Sequence, residues 1–200
     1  FLEKAKSAPA SDQAAPLAPS EGARTFRLSD VLRLSPQEMD RLSRDELLNC
    51  SDTVLQRARQ INPLNTDHSA NLGRLYRTRG ELASGDMRQE YLEQSLAYYE
   101  QATSLSPNAA HLYNEWGAVY MVMRDYEAAI AKYEESLAID QEYVNTYLSL
   151  GDAYMAIDDL DRAEEYYVQA VQLDPDIPEV HSVLAYVYGK QERIEEAIAE

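Results

Sequence analysis

The side chains able to do chemistry in this 200-residue sequence are few and poorly spaced for it. His68, His111 and His181 could bind a metal or carry protons, yet none has a Cys, Asp or Glu neighbour at ligand spacing. Cys50 is the only thiol, so neither an intrachain disulfide nor a thiolate cluster can form. The acidic pairs Asp158-Asp159, Glu164-Glu165 and Glu195-Glu196 fall where turns or exposed helix faces are expected. A calcium loop would alternate Asp or Asn with a Gly and a distant Glu, and no stretch does so. There is no Gly-rich phosphate loop and no Gly-x-Ser-x-Gly elbow. The expectation is therefore no catalytic residue, no metal, no cofactor and no enzyme. Binding is the chemistry left.

Charge narrows the partner. Residues 1–65 carry nine Lys/Arg and nine Asp/Glu, residues 66–109 four and six, and residues 110–200 five and twenty. The net charge of −17 thus sits almost wholly on the C-terminal half, a field that repels phosphate backbones and makes nucleic acid a poor partner, so none is expected. It leaves a solvated acidic helix surface or a basic ligand as readings. No apolar run reaches the length of a membrane span, so this segment is not expected to insert into a bilayer. A chain that opens on Phe1 and stops within an apolar helical pattern at Glu200 reads as a piece of a longer protein.

The elements that must carry any binding residues are helical. Residues 1–24 are rich in Ala, Pro and Ser and read as a linker, because they hold too little apolar surface to offset their ordering entropy. Ser35-Pro36-Gln37-Glu38 and Ser43-Arg44-Asp45-Glu46 are helix starts, with Ser as cap and Glu three residues on. Leu47, Val54, Leu55, Ala58 and Ile61 then share roughly one helical face, closed by Pro63. From residue 66 the chain repeats itself. Gly117, Gly151 and Ala185 lie 34 apart, as do Tyr120, Tyr154 and Tyr188. Ala129, Ala163 and Ala197 keep that period too, and so do Tyr133 and Tyr167.

These columns resemble the tetratricopeptide repeat, a two-helix unit of 34 residues. Tyr147, Leu150, Gly151, Tyr154, Ala163, Tyr167, Ala170 and Pro175 show its pattern best. The implied fold is all-α, a right-handed superhelical solenoid of antiparallel helix pairs. Repeats are expected at 66–109, 110–143, 144–177 and 178–200, the first expanded and the last truncated, with 25–65 a degenerate repeat or N-terminal cap. The ten extra residues of the first repeat, between Gly80 and Ser95, should lengthen both helices and make their turn protrude. Small residues such as Gly151 let paired helices approach, so Gly151→Leu should be far more damaging than Asp159→Leu in a solvated turn. Tyr120, Tyr133, Tyr154 and Tyr167 should be core packing. An unfinished fourth repeat should leave the apolar side of Val183, Leu184, Val187, Ile194 and Ile198 partly uncovered, so that this end frays or self-associates.

The resemblance also implies where a protein or peptide partner would bind. In such repeats the inner face is lined by set first-helix positions, which fall here on Arg74, Arg77, His111, Asn114, Met121, Asn145, Asp152, Met155 and Tyr186, among others. The Lys and Asn clamp of the chaperone-tail binders is missing, since Ala70/Arg74, Asn114/Ala118, Leu148/Asp152 and Ser182/Tyr186 hold its positions. Met121 and Met155 could form an adaptable apolar strip, or simply fill a tight superhelix. Finally, Ile61 to Leu72, Tyr98 to Ala102 and Asn114 to Gly117 resemble the C-terminal repeat region of bacterial O-antigen-ligase-like membrane proteins. That implies a soluble scaffold tethered to upstream membrane helices. A free-standing adaptor in a bacterial assembly, which would then be cytoplasmic, and an accessory domain of a polysaccharide enzyme are the alternatives.

Overall fold

The computed structural model describes residues 24–193 and residue 197. The expected linker up to residue 23, and all but Ala197 of the last seven residues, lie outside the described residues. Every regular element among the described residues is a helix. The chain forms two compact units, one up to Pro107 and one from Asn108.

In the N-terminal unit the two Ser caps act as the sequence suggests. Ser35 Oγ accepts the Glu38 N–H while Glu38 Oε2 accepts the Ser35 N–H, opening helix α2 (Pro36–Met39). Ser43 and Glu46 do the same for α3 (Arg44–Ile61). A short α1 (Leu28–Val31) precedes them, a turn with no strong sequence signal. Then α4 (Thr66–Leu82) and α5 (Gly85–Leu105) form a long hairpin. Both of its helices are extended as expected and the turn residues 84–87 are exposed, while the added helical turns on either side of them are packed. Leu82 and Tyr91 pack against the cluster built around Leu47, Leu48 and Cys50, because α3 is 18 residues long and runs beside the added turns. Within the hairpin, Gly80 lets α4 and α5 close on each other: a Cβ there would stand 2.5 Å from Leu92.

The C-terminal unit holds α6 (Ala110–Met123), α7 (Tyr126–Ile139), α8 (Val144–Ala156), α9 (Leu160–Leu173) and α10 (Pro178–Lys190). Helices α6 and α7 pair, as do α8 and α9, and α10 packs on α9. Each pair closes on one tyrosine ring. A Cβ on Gly117 would stand 2.4 Å from Tyr133, and one on Gly151 2.5 Å from Tyr167. Those rings are 2% and 1% exposed, each burial stabilising by on the order of 2 kcal/mol. Tyr154 is buried with them and Tyr120 packs half-buried on the same core. Leu184 and Val187, expected to be partly uncovered, are 1% and 0% exposed because α9 covers them. Ile194 and Ile198 lie outside the described residues.

The turns inside the pairs repeat as closely as the core. Arg124, Asp158 and Glu192, spaced 34 apart, have φ of 63°, 63° and 61°. The next residue's N–H reaches back to the carbonyl of Tyr120, Tyr154 or Tyr188, closing each first helix. A side chain in this left-handed conformation is strained, and none of the three is glycine. Arg124→Gly is therefore expected to stabilise the C-terminal unit by about 0.5–1 kcal/mol, read as a raised midpoint in thermal denaturation. A lowered midpoint would contradict the turn geometry.

Candidate functional site

The first-helix faces place the expected binding residues unequally. In the N-terminal unit, Arg74 and Arg77 sit one turn apart on α4 and are half-buried. Arg74 Nη1 donates to Asn71 Oδ1 at 2.8 Å, and Arg77 pairs with Glu81 at 3.3 Å. Both guanidinium groups are thus steadied from their own helix.

In the C-terminal unit Asn114 faces inward. Its Nδ2 donates to Ser149 Oγ at 3.1 Å and to Thr146 Oγ1 at 3.3 Å, joining α6 to α8. Thr146 Oγ1 also meets Ser136 Oγ at 2.8 Å, and Ser136 donates to the Ala110 carbonyl at 2.8 Å. Asn114 is 9% exposed, so its carboxamide nitrogen works as a seam between helices. Met121 and Met155 are half-buried on the core, each offering one side outward. His111 is exposed beside Asn108, Asp140 and Tyr143 at the edge of an open hollow. Asn145 is exposed and donates to the Tyr143 hydroxyl at 3.3 Å.

Asp152 and Tyr186 are the two most informative. Asp152 is exposed, and its Oδ1 accepts the Tyr167 hydroxyl at 2.6 Å. The carboxylate is thereby aimed by a ring locked in the core, which is how a surface charge becomes a fixed feature. Tyr186 stands 54% exposed on α10, with Lys190 Nζ 5.6 Å from its ring. Ser182, Gly189 and Lys190 are exposed on the same helix, and nothing lies within 4 Å of a Cβ placed on Gly189. None of this resembles a catalytic set. No group of three His, Cys, Asp or Glu that could hold a metal occurs among the described residues. No described helix is long and apolar enough to cross a membrane.

Buried tyrosines make the fold sensitive to alkali. Burial and the neighbouring Asp152 carboxylate push the Tyr167 hydroxyl well above its ordinary value, and burial with Asp52 does so for Tyr76. The unfolded chain loses these protons first. Stability is thus full below pH ~10 and falls above it, by up to about 1.4 kcal/mol per pH unit for each tyrosine. Denaturation midpoints in urea that stay constant from pH 9 to 11.5 would contradict this.

Sequence reasoning missed several polar features. Asp125 and Asp159 are N-caps, accepting the N–H of Ala128 and Arg162 at 3.2 Å each. Their 34-residue spacing was the available signal. A cluster in the N-terminal unit had none. There Arg79 pairs with Asp52 at 3.4 Å, lies over the rings of Tyr76 and Tyr91, and donates to Asn49 Oδ1 at 3.1 Å.

Comparison with known proteins agrees with this geometry. A family model described as a tetratricopeptide repeat matches residues 120–185, and a second of the same description matches 87–109. No curated protein matches the chain, so the finer resemblance to O-antigen-ligase-like proteins rests on its quoted residues alone. Among solved structures, a crystal structure of MamA is 17% identical with a TM-score of 0.62, covering 83% of this chain and 90% of its own. The pilF protein of Pseudomonas aeruginosa is 19% identical at 0.65, covering 76% of this chain and 65% of its own. A thermophilic TPR protein from Thermus thermophilus is 22% identical at 0.66, covering 70% and 73%. Residues 87–109 and 120–185 are tetratricopeptide repeats, set in an all-helical fold of the kind seen in TPR solenoid proteins.

Proposed function

We propose that this chain is a protein-binding scaffold and that the first-helix faces of its C-terminal unit receive a peptide of the partner. The observation that carries this is Tyr186, a large ring 54% exposed, while Tyr133, Tyr154, Tyr167 and Tyr188 of the same unit are buried. A packing role explains those four and leaves Tyr186 unexplained. The exposed groups on the first helices of this unit are chemically varied: the Asp152 carboxylate on α8, Ser182 and Lys190 on α10, with Met155 half-buried on α8. Aromatic anchors flanked by adaptable Met and fixed charges are how peptides are held.

Selection of a displayed peptide library against the chain is the test. Enriched peptides should bind Tyr186→Ala and Asp152→Asn about tenfold more weakly, the loss typical of truncating a contact worth about 1.4 kcal/mol. Peptides indifferent to both substitutions would sink the assignment. The finer reading, a scaffold tethered to an O-antigen-ligase-like membrane protein, is supported by the segments at 61–72, 98–102 and 114–117. Sequencing upstream of Phe1 tests it: several membrane spans are expected, and a soluble adaptor would show none.

A further inference from the structure

Residues 24–27 run without regular structure along α3, held as a ligand would be. Three side chains of α3 hold them, Glu46, Asn49 and Thr53, spaced so that they share one face. Arg24 Nε donates to Glu46 Oε1 at 2.7 Å. Asn49 Nδ2 donates to the Arg24 carbonyl at 3.2 Å, and Thr53 Oγ1 to the Phe26 carbonyl at 3.1 Å. Phe26 packs on the cluster containing Leu47, Leu48 and Tyr76. Two of these contacts reach main-chain carbonyls, which any sequence offers. The other two select a cation and, two residues later, an aromatic ring.

The receiving groups are set independently of what they hold. Asn49 Oδ1 accepts Arg79 Nη2, and Arg79 is itself fixed by Asp52 and two tyrosine rings, so the Asn49 N–H side is aimed at the segment. Glu46 Oε2 takes the Ser43 N–H at 2.9 Å, leaving Oε1 for a cation. Thr53 shares its one hydroxyl hydrogen with the Asn49 carbonyl at 2.9 Å, so departure of the segment strands no donor. The ion pair is the weak part of the resident segment's hold, beside Phe26 packed on the cluster. Its Arg24 side chain is 70% exposed, where such pairs contribute little, and four residues must be ordered to keep it.

We propose that this face of α3 is a docking site for an extended segment of a partner protein that carries a basic residue two positions before an aromatic one. Residues 24–27 are its resident competitor, so the site opens when they are displaced.

The probe is a fluorescent peptide of residues 22–28, measured by anisotropy against the full chain. With Arg24→Glu and Phe26→Ser introduced together, its affinity should rise about tenfold or more over the unsubstituted chain, since a bound competitor lowers apparent affinity by the free fraction. Adding Asn49→Ala and Thr53→Val should abolish that gain. A helical released variant that binds no more tightly, or binding that survives the last two substitutions, would overturn the proposal. If the released variant loses its helical dichroism, Glu46→Arg decides: it should prefer, by about tenfold, the peptide with glutamate in place of its first arginine. No reversal of preference there overturns it as well.

Discussion

Gly151→Leu is expected to cost the C-terminal unit about 3 kcal/mol or more. A Cβ at residue 151 would meet three Tyr167 ring carbons at 2.5, 2.7 and 2.7 Å, before any of the leucine's branches are placed. The ring cannot swing away cheaply. It is 1% exposed and its hydroxyl is tied to Asp152 at 2.6 Å. The substitution must part α8 from α9, which opens the core on both sides, so the cost falls at or above the usual range for overpacking. For a unit of this size that corresponds to a melting midpoint lower by roughly 10–20 °C. The comparison with Asp159→Leu needs one correction. Asp159 is the N-cap of α9, so its loss should cost about 1 kcal/mol instead of nothing. The order of the two effects stands; equal midpoints would overturn the glycine–tyrosine contact.

Tyr99→Ala is expected to cost about 3–5 kcal/mol in the N-terminal unit, the range for removing a buried aromatic ring. Tyr99 is 0% exposed and lies over Gly73, whose added Cβ would stand 2.8 Å from it. Ser95 on the same helix donates to the Gly73 carbonyl at 2.7 Å, so α4 and α5 have little freedom to collapse into the gap. Tyr186→Ala provides the contrast, within about 0.5 kcal/mol of the unsubstituted chain, because its ring is mostly in solvent. Chemical denaturation of both variants checks the pair. A Tyr99→Ala loss under about 1 kcal/mol would contradict the packing.

What could be read in the sequence was whatever the fold repeats. Gly117 with Tyr133 and Gly151 with Tyr167 make one contact twice, so the contact leaves a column at 34-residue spacing. Contacts made once leave no column. The hold of Glu46, Asn49 and Thr53 on residues 24–27 joins positions more than twenty apart with no echo elsewhere among the described residues, and periodicity is blind to it. Register also assigns a residue to a helix face without saying what covers that face. Asn114 was read as lining a partner site, but α8 arrives against it with Thr146 and Ser149. The turns were hidden for another reason: Arg124, Asp158 and Glu192 take a conformation that glycine would have announced. Asp152 was legible as an exposed first-helix residue, whereas the tyrosine that aims it was visible only once α8 and α9 were paired.

The claim that the exposed first-helix surface does the binding is tested most directly by mapping a selected peptide onto the chain by NMR. Amide and methyl shifts should concentrate at Asp152, Met155, Ser182, Tyr186 and Lys190, and leave Tyr133, Tyr167 and the second helices α7 and α9 nearly unmoved. Shifts centred on α7 or α9, or saturable binding with no shift at Tyr186, would contradict the account.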